Sequence, residues 1–206
     1  MHILFLTQII PYPPDAGPKV KTWHVLRYLS DLGYKITLVS FMRPEEAPYL
    51  DALRQVCTTL HTVPIRRSRV ADAGYWLRSQ ATRRPFLVER DDSAPMRTLI
   101  EKIVATEKID FIHADQLSMA QFALPPRSAP PKWPALIFDA HNAVWTILAR
   151  MVQNVPWFIR PVVALEAHRI KQYEAMLVQE FDHTLAVTEI DDQALLQAVK
   201  ESGGNP

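Results

Sequence analysis

Apolar and polar residues alternate along this chain in two rhythms. His2-Ile-Leu-Phe-Leu-Thr7 is an unbroken apolar run that stops at the turn-rich Pro11-Tyr-Pro-Pro-Asp-Ala-Gly-Pro18, which predicts a buried strand. Beyond the turn, Val20, Trp23, Leu26, Leu29 and Leu32 recur at three-residue steps among basic and polar residues. That spacing predicts a helix with one buried face, ended at Gly33. Lys35-Ile-Thr-Leu-Val-Ser-Phe41 is β-branched and aromatic, so strand, helix and strand follow one another within about forty residues, a βαβ unit.

The alternation continues. The pattern predicts a helix over Glu45 to Val56, a strand over Leu60 to Ile65, a helix over Ala94 to Glu107 and a strand over Ile109 to His113. Ala135 to Asp139 reads as a further strand, Ile159 to Phe181 as a long helix, and His183 to Thr188 as one more strand before a last helix. Strands separated by helices imply a mostly parallel sheet with helices on both faces. The handedness of such crossovers then leaves an α/β, Rossmann-like, doubly wound fold as the expectation.

Two segments break the regularity. Arg66 to Arg90 holds seven arginines against Asp72 and Glu89, interleaved with Tyr75, Trp76, Leu77 and Phe86. Such a stretch reads either as an amphipathic surface segment that meets an anionic membrane or as a solvated arginine-rich loop. Leu124 to Pro134 is proline-rich and excludes regular helix or inner strand, and Ser202-Gly-Gly-Asn-Pro206 reads as a flexible stop after the last helix. Such an ending suits a linker.

Composition narrows the function classes. A chain of 206 residues that is 48% hydrophobic and 22% charged is an ordinary folded protein, long enough for one well-filled core. The net charge of +1 gives no global reason to expect a nucleic-acid partner. One cysteine, Cys57, excludes an intrachain disulfide and any multi-cysteine metal site, and the expected location is the cytoplasm. The five glycines form neither a dinucleotide fingerprint, a phosphate-binding Walker loop nor a nucleophile elbow, and no His-Glu-x-x-His or Asp-x-Asp metal motif occurs. Neither a metal nor a cofactor is expected.

What remains is position. In an open parallel sheet, ligands gather beyond the carboxyl ends of the strands. Gly17 stands just before a helix, where backbone N–H groups can meet an anion or a sugar hydroxyl, with Lys21 placed to reinforce the contact; alternatively Gly17 merely permits a turn. His141 follows the strand that ends at Asp139 and could orient a hydroxyl or exchange a proton, or it is structural. Asn142 lies beside it. Glu189 also follows a strand, with a helix-stabilising role equally open, and Asp115 and Gln116 are lesser ligand candidates.

Met1 to Thr22, with Leu26-Arg-Tyr-Leu29 and Ile36 to Phe41, resembles the amino-terminal half of a GT-B glycosyltransferase of the family 4 type. Phe138-Asp-Ala-His-Asn142, Tyr173-Glu174 and Phe181 to Asp191 extend the likeness over nearly the whole chain. The resemblance implies one domain over residues 1–206, on the acceptor side of a two-domain enzyme that transfers a sugar, with retention and without an essential metal, from a nucleotide-sugar donor to a glycan or lipid-linked acceptor. By motif position Gly17, Lys21 and Glu189 would face the donor phosphates or reacting sugar. His141 would be the active-site histidine, and Asp115, Gln116 and Asn142 would serve the acceptor. The family's paired glycine stands here as Gly17-Pro18.

In such enzymes a carboxyl-terminal domain holds the donor, and it is missing from this sequence, so the chain alone is expected to be inactive. A location on the cytoplasmic face of a membrane would follow if Arg66 to Arg90 meets lipid. The other class of reading is a non-catalytic Rossmann-like module that recruits a protein partner.

Overall fold

The computed structural model describes residues 1–126, 129 and 132–204. Six strands form one sheet in the order β3-β2-β1-β4-β5-β6, where β1 is His2–Thr7, β2 Lys35–Met42, β3 Thr59–Pro64, β4 Phe111–Asp115, β5 Ala135–Ala140 and β6 His183–Ala186. Pairing is parallel between β1 and β2, β2 and β3, and β1 and β4. The order reverses direction between β1 and β4, which is the doubly wound arrangement expected of a Rossmann-like α/β fold. The chain divides into two compact units, Met1–Arg66 with Ser93–Ile137, and Arg67–Asp92 with Phe138–Pro206.

In the first unit, strand alternation sends Ile3 and Phe5 of β1 and Ile36 and Leu38 of β2 to one face, where they pack with Leu26 and Leu53. Leu26 belongs to α1 (Gly17–Asp31) and Leu53 to α2 (Leu50–Arg54). Leu4, Leu6, Val39 and Phe41 are equally buried, and Phe41 meets the ring of Phe122 edge-on at 6.1 Å. Strands buried on both faces read as unbroken apolar runs, which is why His2 to Thr7 lacks a polar face. Cys57 closes this core, and burial pushes its thiol up to about 12, so it is held as the protonated thiol.

Local chemistry explains where the sequence pattern and the elements differ. The expected helix from Glu45 is a 3-10 turn over Pro44–Tyr49 followed by α2, because Pro48 lacks the N–H a continuous helix needs. The strand expected from Ile109 begins at Phe111, since the backbone N–H of His2 donates to the Asp110 carboxylate and the Asp110 N–H donates to the His2 carbonyl.

Arg66 to Arg90 is two helices, α3 (Arg69–Thr82) and α4 (Phe86–Asp91), separated by Arg83 in a left-handed conformation and by Pro85. α5 (Ala94–Thr106) lies where its periodicity placed it. α6 (Leu117–Ala123) has every residue buried and therefore no polar face to betray it. The second unit adds α7 (Val144–Asn154), α8 (Arg160–Glu180) and α9 (Glu189–Glu201). Of the expected proline-rich loop, residues 127, 128, 130 and 131 lie outside the described residues, as do the last two residues of the expected flexible stop.

Candidate functional site

At the point in the first unit where the strand order reverses, β1 ends at Thr7 and β4 ends at Asp115, both fully buried. The hydroxyl of Thr22, one turn inside α1, shares its one proton between the Asp115 carboxylate at 3.0 Å and the Pro18 carbonyl at 2.9 Å, which ties the start of α1 to the end of β4. Asp115 is thus an anchor for that helix as well as a carboxylate at the strand's carboxyl end. Thr7 Oγ1 is buried with no hydrogen-bond partner.

α1 opens with Ala16 as its cap, a residue that offers no side-chain acceptor to the first N–H groups. Gly17 is exposed, its φ is outside the left-handed region, and a Cβ built on it would meet nothing within 4 Å. Neither a turn nor internal packing therefore requires a glycine there. Lys21 is half-buried one turn on, and Gln116 carries a φ of 76°, a backbone conformation that costs energy in a residue with a side chain.

The second unit builds the loop that carries His141 and Asn142. β5 ends at Ala140, His141 is half-buried, Asn142 is exposed, and Ala143 to Trp145 turn into α7. Carboxylates hold that turn. The N–H of Ala143 donates to Asp191 Oδ1 at 2.9 Å, that of Val144 to Glu174 Oε1 at 2.7 Å and that of Trp145 to Glu174 Oε2 at 3.0 Å. Glu174 comes from α8, where Ala167, Ile170, Glu174 and Leu177 form a buried stripe at helical spacing. Asp191 comes from the first turn of α9, fixed in turn by the Thr188 hydroxyl at 2.6 Å.

Trp145 completes the brace. Its indole N–H donates to the Ala194 carbonyl at 3.3 Å, and the Lys171 ammonium lies 4.1 Å from its ring centroid while pairing with Glu201 at 2.6 Å. The start of α7 is therefore occupied by the protein's own carboxyl groups. The arrangement can hold His141 and Asn142 at a fixed place against the carboxyl end of β5.

Burial pushes the Glu174 carboxyl from its ordinary 4.5 to about 7, against the two N–H bonds, with the Asp191 charge adding to the rise. Between those values the native state binds more protons than the unfolded one, so the contribution is whole below about pH 4.5 and is lost as pH rises through about 7. We expect the unfolding free energy of the unaltered chain, relative to Glu174→Gln, to fall by roughly 2–3 kcal/mol between pH 5 and pH 8. Urea unfolding at the two pH values checks it, and a difference that rises or stays flat contradicts it.

Glu189 stands exposed at the first position of α9, where it accepts from Gln193 at 3.2 Å, the helix-end role that its sequence position also allowed. Asp191, two residues on, reaches the loop after β5. In the Arg66 to Arg90 stretch, Arg67 and Arg90 pair with Asp91, and Arg78 and Arg84 pair with both Glu89 and Asp92. Four of the seven arginines are thus engaged with carboxylates, two of which lie just past Arg90. No helix among the described residues is long and apolar enough to cross a membrane.

The chain matches no protein-family model and no curated protein. Among solved structures it is similar to the amino-terminal domain of trehalose-6-phosphate phosphatase from Candida albicans, with 12% identity and a TM-score of 0.48. The likeness covers 98% of this chain and 43% of that one, so this chain spans less than half the length of that structure.

Proposed function

We propose that the chain is the acceptor-side, Rossmann-like half of a GT-B glycosyltransferase of the family 4 type, moving a sugar with retention from a nucleotide-sugar donor to a glycan or lipid-linked acceptor. The observation that carries the reading is the braced loop after β5: three backbone N–H groups tied to Asp191 and Glu174 immediately after His141 and Asn142. Such bracing keeps the imidazole where it can orient a reacting hydroxyl or take part in proton transfer. In the first unit, the uncapped start of α1 at Gly17, with Lys21 on the next turn, suits a phosphate-bearing donor. Asp115 and Gln116 close the end of β4, where polar groups can meet acceptor hydroxyls.

A partner domain that holds the nucleotide is needed to complete the chemistry, exclude water and stabilise the departing diphosphate. Residues 1–206 alone are therefore expected to unfold cooperatively yet give no transfer product with a panel of nucleotide sugars and acceptors. Robust turnover by the isolated chain would overturn this division of labour. The second reading, a binding module, draws on Trp157 and Phe158, exposed at 78% and 63%. Joining the chain to a donor-binding domain separates the two, since only an enzyme half gains turnover.

A further inference from the structure

The second unit holds a cleft of about 380 Å³ between α3, α4, α7 and α8, on which the sugar-transfer reading makes no demand. Trp76, Phe86, Leu148, Met151, Val162 and Leu165 line it, and Trp76, Met151, Val162 and Leu165 are each more than two-fifths exposed. α7 explains the exposure. Ile147, Leu148 and Met151 fall on one stripe at helical spacing, yet no residue of α7 is fully buried, so its apolar face is left open along the cleft. A concave apolar site of this volume is in the range that takes a small molecule.

The lining turns polar at Gln80, Glu166 and Arg169. Arg169 Nη2 donates to Gln80 Oε1 at 3.2 Å, while Arg169 Nη1 is buried without an acceptor. A guanidinium N–H shut away from water with no acceptor is costly, so a turn of the Arg169 guanidinium that brings this N–H to an oxygen carried by a ligand in the cleft would be favoured. Glu166 Oε1 is engaged with the backbone, accepting the Phe86 N–H at 2.6 Å. Burial also disfavours the ionised form of Glu166, against that bond and the Arg169 charge.

We propose that this cleft binds a single-chain amphiphile with a carboxylate head, the apolar chain lying among Trp76, Phe86, Leu148 and Met151 and the carboxylate accepting from Arg169 Nη1. Such a ligand meets both unsatisfied features at once: open apolar wall and spare charged donor. Binding is read without donor, acceptor or turnover, so failure here leaves the sugar-transfer reading standing, and the reverse also holds.

Calorimetric titration of the chain with decanoate, decanol and decyltrimethylammonium, each below its micellar concentration, tests the proposal. Decanoate is expected to bind saturably at one site, about tenfold tighter than decanol, with no binding by the cation. Arg169→Gln should bring decanoate down to the affinity of decanol, and Met151→Trp, at an exposed wall position, should abolish both. Equal binding of the three probes, or no saturable binding of decanoate, overturns the proposal. So does sedimentation that shows a dimer decanoate leaves intact, for the cleft then belongs to a second copy of the chain. If circular dichroism shows Arg169→Gln unfolded, the head-group preference of the unaltered chain and the Met151→Trp result decide.

Discussion

Glu174→Ala lowers stability at pH 6 by about 3 kcal/mol, because it leaves two N–H groups at the start of α7 without acceptors and opens a hole in the α8 stripe. Each orphaned donor costs roughly 1–3 kcal/mol, and the loss of side-chain volume adds to it. Glu174→Gln keeps the shape and one acceptor but turns an amide N–H₂ toward the other backbone donor, so its loss is smaller. Hydrogen exchange should single out Val144 and Trp145 as the amides most deprotected by the alanine variant. Urea unfolding of both variants checks the order. A Glu174→Ala chain as stable as the unaltered one would mean that other groups hold the loop.

The sheet was legible because its strands announce themselves. Unbroken runs such as His2 to Thr7 and Ile36 to Phe41 allow burial on both faces, and the turn after each is written in proline or glycine. Helices with one wet face, α1 and α5, were equally plain. α6 was hidden because all seven of its residues are buried, whereas α7 carries a stripe of Ile147, Leu148 and Met151 that its sequence does show, beside a turn rich in proline and aromatic residues.

The site was half legible. His141 and Asn142 could be placed by following a strand to its end, whereas the carboxylates that tie the next residues, Val144 and Ala143, lie 30 and 48 residues beyond those two. Only folding makes them neighbours. A signal for Glu174 was nevertheless present, a lone carboxylate in the apolar stripe of Ala167, Ile170 and Leu177. A buried carboxylate asks for donors, and the start of α7 supplies them. In the arginine-rich stretch, Asp91 and Asp92, just past Arg90, carry part of the balancing charge, and only the fold brings them to Arg67 and Arg78.

The braced loop is proposed to hold His141 for chemistry. Chemistry at an imidazole and packing of an imidazole leave different marks on a variant. General acid–base or hydroxyl-orienting contact contributes roughly 10² to 10⁴-fold to rate. Loss of a half-buried histidine from a loop whose backbone is tied elsewhere costs little stability, because Glu174 and Asp191 still hold Ala143, Val144 and Trp145. The decisive measurement joins this chain to a donor-binding domain and records initial transfer rates and melting temperatures of His141→Ala beside the unaltered protein. A catalytic imidazole gives a rate reduced by about 10² to 10⁴-fold with the melting temperature nearly unchanged. A near-normal rate would contradict it, and so would a lost rate that comes with a large fall in melting temperature, which would assign His141 to the fold.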